Sequence, residues 1–395
     1  MKGPSLALIL SGGGLRAAIF HLGLIMRLAS EDRIEDVAGI STVSGGSLAV
    51  GLIFSKNNLT WPSSSEYINK VLPNIQDLLT EKSLQKHSLI SALIRPWCWG
   101  SSRGNLFAKS LENVWELTGN IKDLPEKPWW LINSTSYETG RNWRFSKHHI
   151  GDWKIGHNYT QNIPLSIAIA ASAAVPYLIG FVKLKTAAKG WFDIDPATEK
   201  PINEKKVQHK SVRLWDGGVY ENLGVEGVWK PKGFVDPKID FMIVSDASAQ
   251  LEIDMGPATG IFMNRPPFLR SPRLFEIATE QTRSLRSRMI IESVTGTVKL
   301  PAAIVRMGRS VDYIDRQAKR NRGSVGSNLF LTPSEVERAA KYPTNVSKIP
   351  AKDFKLLLRH GFESADATLT GHAPAVFSQS LLASSSESVG RKYEH

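Results

Sequence analysis

Two short apolar runs near the start of the chain, each followed by glycines, set the predicted architecture. Leu6 to Leu10 (LALIL) has no polar position, a pattern typical of a strand buried on both faces of a parallel sheet. After the glycines, LRAAIFHLGLIMRLAS has apolar residues at helical spacing. Val37 to Thr42 predicts a second strand, and GSLAVGLIFS begins a second helix. Strand, tight turn and helix, occurring twice, indicate an α/β layered fold with a mainly parallel central sheet.

Hydrophobic patterns further along the chain predict additional strands and helices. PWWLINSTSYETGRNWRFSK predicts two strands joined by a turn at Thr139 and Gly140. SVRLWDGGVYENLG predicts a strand that ends at Asp216, and IDFMIVSDAS predicts another buried strand. IPLSIAIAASAAVP is typical of a buried helix, and Arg270 to Ser293 is predicted to be helical and rich in arginine. Residues 57–127 are predicted to be helical and irregular.

Composition, charge and cysteine count limit the classes of protein to which the chain can belong. The chain has 395 residues, 42% hydrophobic and 22% charged, which allows a sizeable globular core. The net charge of +12 favours approach to anionic lipid headgroups or nucleic acid, and it fits a surface charge that maintains solubility equally well. A single cysteine, Cys98, excludes an internal disulfide and CxxC-type metal sites. LALIL is too short for a secretory signal, and no segment approaches the length that spans a bilayer. We therefore expect a cytoplasmic protein.

Three serines in VAGISTVSGGSLAVGLIF are candidates for a nucleophile, and Ser44 fits best. A serine nucleophile of α/β proteins lies on a sharp turn between strand and helix, with small residues two positions before and after it. Thr42 and Gly46 take these positions around Ser44, so threonine stands where the usual G-x-S-x-G has glycine. Ser41 is still in the predicted strand, and Ser47 lies inside the predicted helix. Alone, the stretch also fits a plain glycine-rich turn.

The first glycine run, SGGGLRAA, is a candidate anion cradle. Gly12, Gly13 and Gly14 can direct successive backbone N–H groups into one space, where the oxygen of a tetrahedral intermediate would be stabilised. Arg16 lies in the first helical turn, where it either fixes this loop or is a surface charge.

The same run also satisfies a second motif. Gly12, Gly14 and Ala17 match G-x-G-x-x-A, the dinucleotide fingerprint. That motif requires an acidic residue at the end of the second strand, whereas Glu35 and Asp36 precede it. A nucleotide-binding oxidoreductase is therefore the weaker interpretation.

A serine hydroxyl needs a base to accept its proton. The histidines that follow Asp216 are His360, His372 and His395, and a position at a helix C-terminus is enough to explain His360. Asp216 ends an apolar strand before two glycines. A carboxylate in a partly desolvated cleft acts as a base if burial raises its pKa, although a D-G pair also caps turns. Asp246, at another predicted strand end, is the second candidate.

Taken together, these blocks resemble the patatin-like phospholipase family. The similarity is carried by GGGLR at Gly12 to Arg16, by STVSGGS around Ser44 and by DGGVYENLGVE from Asp216. INSTSYETGR and AASAAVP resemble two further family segments, and the order and spacing of the blocks match. The resemblance is dense from about residue 6 to residue 249 and thin beyond it.

The resemblance implies a three-layer α/β/α sandwich and a lipid acyl hydrolase of the phospholipase A type. Such enzymes use a serine–aspartate dyad without histidine, a metal or an organic cofactor. It implies that Ser44 is the nucleophile and Asp216 the base, and that the oxyanion hole comprises Gly12, Gly13, Gly14, Arg16 and Gly45. The expected partner is a membrane phospholipid or another acyl-ester lipid, with no nucleic acid. Thr42 departs from the family pattern.

The resemblance also suggests a domain organisation. Residues 1–310 are predicted to form a patatin-like catalytic domain, with 55–127 as a helical cap-like insertion. Residues 311–375 are predicted to form a helical extension packed on this domain, and residues 376–395 to form a flexible tail.

Two segments are candidates for contact with a membrane. HSLISALIRPWCWGSSRGNLF has six large apolar residues that either contact a lipid interface or form the core of the cap: Leu89, Ile90, Leu93, Ile94, Trp97 and Trp99. The arginine-rich helix either binds phosphate headgroups or presents a solvated face through Arg270, Arg273, Arg283, Arg286 and Arg288. A catalytically silent lipid-binding protein of the same fold is the remaining alternative.

Overall fold

The computed structural model describes residues 3–84, 102–176, 178–195, 200–231, 233–248, 267–319 and 330–377, with the backbone alone for 267–272. The strands in these ranges are β1 Leu6–Leu10, β2 Val37–Val43, β3 Trp129–Ser136, β4 Asn142–Phe145, β5 Ile150–Asp152, β6 Gly156–Asn158, β7 Val182–Lys185, β8 Trp191–Ile194, β9 Pro201–Glu204, β10 Ser211–Asp216, β11 Trp229–Lys230, β12 Gly233–Phe234, β13 Phe241–Asp246 and β14 Ala302–Arg306. The helices are α1 Gly14–Ala29, α2 Gly45–Lys56, α3 Ser64–Glu66, α4 Leu72–Glu81, α5 Arg103–Trp115, α6 Leu165–Ser172, α7 Pro267–Thr295, α8 Val311–Gln317, α9 Pro333–Ala340 and α10 Ala351–His372. The strands and helices predicted around the candidate site are thereby confirmed.

One half of the large sheet is parallel. β14, β13, β1, β2 and β3 lie side by side in this order, and each neighbouring pair is parallel. Their carboxyl ends therefore share one edge of the sheet, the edge at which open α/β sheets bind ligands. The predicted α/β fold with a parallel core is confirmed.

The other half of the sheet is antiparallel. From β3 it continues through β4, β5, β6, β8 and β9, and β10 pairs with β3 and β7. In this half the sequence predicted the hairpin of β3 and β4 and the strand β10, which ends at Asp216. The strands β5 to β9 are three or four residues long, and sequences such as GHN and PINE have no apolar alternation to reveal them.

The sheet is covered on both faces, which gives three layers. Leu6, Leu8 and Leu10 of β1 pack into a cluster with residues of α1, α2 and α10. Ala7 and Ile9 point to the other face, where their cluster includes Ile290 of α7. This alternation follows from the two-residue repeat of a strand.

α10 packs closely along α1 through glycines. A Cβ atom on Gly23 would collide with the carbonyl oxygen of Leu358, and one on Gly361 would collide with that of Phe20. The backbones of the two helices therefore approach more closely than larger residues would allow.

The domain boundaries given above stay predictions. The apolar residues named in the cap segment, and the tail beyond residue 377, lie outside the described residues.

Among the helices that the structure describes, none combines the length and the apolar character needed to cross a bilayer.

Candidate active site

β3 brings together two strand ends that are far apart in the sequence. It pairs in parallel with β2 as far as Asn133, which lies opposite Val43. The next residue of β3, Ser134, pairs with Asp216, the last residue of the antiparallel strand β10. β4 pairs with the other edge of β3, so β2 and β10 pair with the same edge. Because β2 is parallel to β3 and β10 is antiparallel to it, β2 and β10 point toward each other. Their carboxyl ends meet, which places Ser44 beside Asp216.

Ser44 lies on a strained turn between β2 and α2. Its φ of 48° and ψ of −111° are unusual for a residue with a side chain, and such conformations cost on the order of 1–3 kcal/mol. A Cβ atom on Gly46 would collide with the carbonyl oxygen of Leu10, and the Gly46 N–H donates to Ser11 O at 3.1 Å. The turn is therefore a sharp elbow that requires a small residue after Ser44.

A chain of buried hydroxyl groups supports this elbow. The Ser44 N–H donates to Ser172 Oγ at 3.0 Å, Ser172 Oγ lies 2.8 Å from Ser47 Oγ, and Ser47 Oγ lies 2.8 Å from Thr42 Oγ1. Trp130 Nε1 donates to Thr42 Oγ1 at 2.9 Å and completes the chain. We call Thr42, Ser47 and Ser172 the hydroxyl chain.

The hydroxyl chain explains why threonine stands where the motif usually has glycine, because Thr42 supplies one of its hydrogen bonds. This role was not predicted from the sequence, where Thr42 was noted only as a departure from the usual glycine and Ser47 was excluded only as a nucleophile. The available signal was the group of hydroxyl residues at short spacing around Ser44, together with Ser172 in AASAAVP.

Asp216 is buried and has no cation in contact among the described residues. Its Oδ1 accepts the Gly218 N–H at 2.7 Å. Burial raises the pKa of Asp216 to about 6, while the Gly218 N–H and the Ser44 hydroxyl act to lower the pKa. Oδ2 is buried without a well-formed hydrogen bond to any described residue. The contact between the two side chains is therefore looser than a full hydrogen bond, as in resting active sites whose bonds tighten when substrate binds.

The glycine loop supplies backbone donors at the same place. Gly13 and Gly14 have φ angles of 138° and 64°, and α1 begins at Gly14. Among the described residues no acceptor receives their N–H groups, as expected at a helix N-terminus. The absence of a side chain on Gly45 lets the Gly14 carbonyl approach the start of α2. The N-termini of α1 and α2 thus lie together beside Ser44, a setting that favours negative charge.

Gly12 contributes space rather than a free donor. Its N–H donates to the carbonyl oxygen of Asn222 at 3.1 Å. A Cβ atom at this position would collide with the Asn222 side chain and lie 3.1 Å from Ser44 Cβ. The backbone N–H groups of the loop that remain free to donate near Ser44 are therefore those of Gly13 and Gly14, which follow Gly12.

Arg16 fixes the loop from within and is not a surface charge. Its guanidinium donates to the carbonyl oxygens of Ala340 at 3.0 Å and Tyr342 at 3.2 Å. Burial lowers the pKa of Arg16 to about 10. The glycine loop is thereby joined to the segment that follows α9.

Two residues after Asp216 organise the site and were missed in the sequence analysis. The Glu221 carboxylate accepts the N–H groups of Leu223 at 2.7 Å and Val225 at 2.8 Å, and so holds the turn that follows. Asn222 accepts from Gly12 and donates through Nδ2 to Ser248 Oγ at 2.8 Å. Both lie in the block VYENLG, and their polar character directly after DGG was the signal.

The other candidate bases have different partners. Asp246 Oδ2 lies 2.6 Å from the guanidinium of Arg283, in a buried ion pair. His360 Nε2 accepts the Gly308 N–H at 2.9 Å, and burial lowers the pKa of His360 to about 4. His372 lines a separate cavity, and His395 lies outside the described residues.

The dinucleotide fingerprint finds no support in this geometry. Glu35 and Asp36 lie in the short 3₁₀ turn before β2, and the residue directly after β2 is Ser44. Within the described ranges, no group of three or more histidine, cysteine, aspartate or glutamate side chains is arranged to hold a metal ion.

A cavity of about 410 Å³ opens over Ser44 and Asp216. Its walls come from the glycine loop, from Val175 and Pro176, and from α7 through Phe275 and Thr279. It therefore joins a serine hydroxyl, a carboxylate of raised pKa and free amide donors in one space, the groups that acyl transfer requires, and charged residues of α7 such as Arg273 and Glu276 also line it.

A family model and several solved structures match this chain. A family model described as patatin-like phospholipase matches residues 8–229. Human GIVD cytosolic phospholipase A2 aligns with a TM-score of 0.51 and 13% identity, over 95% of this chain and 61% of the human chain. VipD from Legionella pneumophila aligns with a TM-score of 0.34 and 14% identity, over 91% of this chain and 67% of VipD. No curated protein sequence matches the chain significantly.

The human structure, at 13% identity, shows a similar fold alone. The present chain spans about three fifths of the length of the human chain.

Proposed function

Because the chain belongs to the patatin-like phospholipase family, we propose that it hydrolyses acyl esters of lipids through an acyl-serine intermediate, with Ser44 and Asp216 as the catalytic dyad. The observation that carries this proposal is the meeting of the ends of β2 and β10, where a serine on a strained elbow faces a buried carboxylate. The pKa of about 6 leaves that carboxylate mostly ionised, and so able to accept a proton, at neutral pH.

Acylation follows from the positions of these groups. Asp216 accepts the proton of the Ser44 hydroxyl as Oγ attacks the ester carbonyl carbon. The N–H groups of Gly13, Gly14 and Gly45 stabilise the oxyanion, and each good donor of this kind contributes about 3 kcal/mol. The C–O bond of the ester then breaks, and the alcohol leaves with the proton held by Asp216.

Deacylation uses the same groups. Asp216 accepts a proton from water, which attacks the acyl carbon while the same amides stabilise the second oxyanion. The bond to Ser44 Oγ breaks, the serine recovers the proton from Asp216, and the fatty acid is released. The hydroxyl chain keeps the Ser44 backbone in place through both steps.

The experiment is mass spectrometry of lipid products formed by the full chain. We expect free fatty acid and lysolipid from wild type and none from Ser44→Ala. The matched control is Ser55→Ala on α2, where Ser55 donates to the Glu116 carbonyl, and this variant should retain activity. Equal product from Ser44→Ala and wild type would reject the dyad.

Contact with an anionic membrane surface belongs to the same proposal. α7 lines the cavity over Ser44 and also presents a row of large apolar side chains to solvent: Leu274, Ile277, Leu285, Met289 and Ile291. The cationic side chains of Arg273 and Arg288 lie on the same helix. Apolar and basic residues together on a helix are typical of binding in the headgroup region of a bilayer.

Vesicle flotation tests this contact. Wild type should float with vesicles that contain anionic lipid and less with neutral vesicles. Leu274→Ser combined with Leu285→Ser should weaken flotation, whereas Ile202→Ser, an exposed apolar residue on β9, should not. Equal flotation of all variants would exclude α7 as the contact.

A further inference from the structure

A second cavity lies on the same edge of the sheet, beside the cavity over Ser44. Its volume is about 270 Å³, and Ser248 and Arg283 line both cavities. It lies at the carboxyl ends of β13 and β14, where Asp246 pairs in register with Arg306. β14 is three strand positions from β2, a separation of roughly 14 Å at ordinary strand spacing.

This cavity contains an excess of positive charge. We call it the arginine cavity and define it by Ser287, Arg288, Arg306 and Arg309. Its one lining carboxylate among the described residues, Asp246, contacts Arg283 instead.

Arg283 is already neutralised, because it also pairs with Glu280 through two nitrogen atoms. For Arg288, Arg306 and Arg309, no described carboxylate lies within ion-pair distance. The Arg309 guanidinium lies over the Tyr313 ring at 4.4 Å. Three cationic side chains therefore line a cavity in which none of them forms an ion pair with a described carboxylate.

Two polar groups in the walls have no hydrogen-bond partner among the described residues. Ser287 is 5% exposed, and its hydroxyl makes no such bond. Arg306 Nε is also buried, with no acceptor in the described part of the chain. Burial lowers the pKa of Arg306, and the nearby guanidinium groups of Arg283 and Arg309 lower it further, against the opposing effect of Asp246.

Buried donors without acceptors are costly, so a ligand that supplies several acceptor oxygens would stabilise this arrangement. A phosphate group has the required charge and oxygens, and guanidinium groups bind it through paired hydrogen bonds.

We propose that the arginine cavity binds the phosphomonoester group of a lipid whose acyl ester lies against Ser44, with the phosphate at the near end of the cavity, where Ser248 and Arg283 line both cavities. This inference rests on the proposed hydrolase function. A phosphomonoester carries up to two negative charges, and the three unpaired arginines favour it over a neutral lipid. The arginine cavity would therefore select phosphatidic-acid-like substrates.

The kinetic experiment compares phosphatidic acid with diacylglycerol of the same acyl chains, each in detergent micelles. Wild type should hydrolyse phosphatidic acid roughly tenfold or more faster in kcat/KM, since a hydrogen bond to a charged group is worth at least that factor. Arg306→Gln combined with Arg309→Gln should abolish this preference and leave diacylglycerol hydrolysis unchanged. Arg338→Gln, an exposed arginine on α9 away from the cavity, is the matched control. Ser287→Ala is a milder second variant, and it should reduce the preference in part.

A binding experiment separates this inference from the proposed function. Inorganic phosphate should raise the thermal midpoint of wild type and of Arg338→Gln, but not that of the double variant. If wild type hydrolyses neither lipid, the proposed function fails, and this phosphate-dependent shift still decides whether the cavity binds anions. If the double variant keeps the preference for phosphatidic acid, the inference is overturned. If phosphate binding is lost while the lipid preference is unchanged, the cavity binds free phosphate and the headgroup assignment is wrong.

Discussion

Asp216 and Asp246 occupy similar positions in the sequence and different environments in the fold. Each ends a strand at the same edge of the sheet, the half-buried β10 for Asp216 and the buried β13 for Asp246. Asp246 contacts the Arg283 guanidinium at 2.6 Å, whereas Asp216 accepts a backbone N–H and has no described cation in contact. Burial without a cation raises the pKa of Asp216 to about 6.

The comparison shows what makes a carboxylate a base. A neighbouring cation stabilises the ionised form and makes proton acceptance less favourable, while desolvation alone makes it more favourable. The two ends of this edge are thus suited to different tasks. The Ser44 end has a proton acceptor and free amides, and the Asp246 end has fixed positive charge.

The largest expected effect is a difference in activity between substitutions at the two aspartates. Asp216→Asn removes the proton acceptor and should lower kcat/KM for a short-chain ester by about a thousandfold. Asp246→Asn should stay within about tenfold of wild type, since it alters the ion pair with Arg283 and the hydrogen bond from the Ser248 N–H, and not the groups at Ser44. Steady-state hydrolysis measures both. Equal losses in the two variants would contradict the distinction.

Asparagine substitutions at these two aspartates should change the free energy of unfolding in opposite directions. The folded-state pKa of Asp216 is above its ordinary value of 3.8, so wild type loses stability as pH rises from about 4 through 6. Asp216→Asn removes this loss, so its free energy of unfolding should exceed that of wild type by about 3 kcal/mol at pH 7.5, with little gain at pH 4. Asp246→Asn removes one of the two carboxylates that contact Arg283, and its free energy of unfolding should fall by about 2 kcal/mol.

Urea unfolding at the two pH values measures these differences. A loss of stability in Asp216→Asn at pH 7.5 would mean that the carboxylate is stabilising where it lies, contrary to the origin assigned to its raised pKa.

The pH dependence of activity gives a third test of Asp216. Because the ionised carboxylate is the active form, kcat/KM should rise about tenfold from pH 5 to pH 7, with a midpoint near 6. Asp246→Asn should keep that midpoint. A midpoint near 4 in wild type would show that Asp216 is not desolvated as described.

The smallest expected effect concerns the support of Ser44, which has no counterpart at Asp246. Ser172→Ala leaves the Ser44 N–H without its acceptor. This variant should lower kcat by a few-fold to tenfold and lower the free energy of unfolding by about 1 kcal/mol. Ser172→Thr keeps the hydroxyl and should retain more activity. The ratio of phosphatidic acid to diacylglycerol hydrolysis should not change in either variant. A shift of that ratio would couple two regions that this account treats as separate.

Much of the site was predictable, because its parts lie in short blocks with strong local signals. The apolar run before the glycines and the small residues around Ser44 indicate strand, elbow and helix without knowledge of distant contacts. Asp216 was distinguishable from Asp246 by its paired glycines, but the sequence does not show that Arg283, on a helix further along the chain, reaches Asp246.

Other features depend on contacts between distant segments and left no local pattern. Ser172 supports Ser44 only because α6 packs beside the elbow, and Gly12 loses its free N–H only because Asn222 approaches it. The arginine cavity needs α7 and the end of β14 together. The strands β5 to β9 of the antiparallel half were not predicted because they are short and partly polar.

The most direct test of the central claim is the rate at which a fluorophosphonate labels the full chain between pH 5 and pH 8, followed by peptide mass spectrometry. The account predicts one label, on Ser44, at a rate that rises with a midpoint near 6, falls sharply in Asp216→Asn and persists in Asp246→Asn. A label on another residue, or labelling of Asp216→Asn at the wild-type rate, would contradict it.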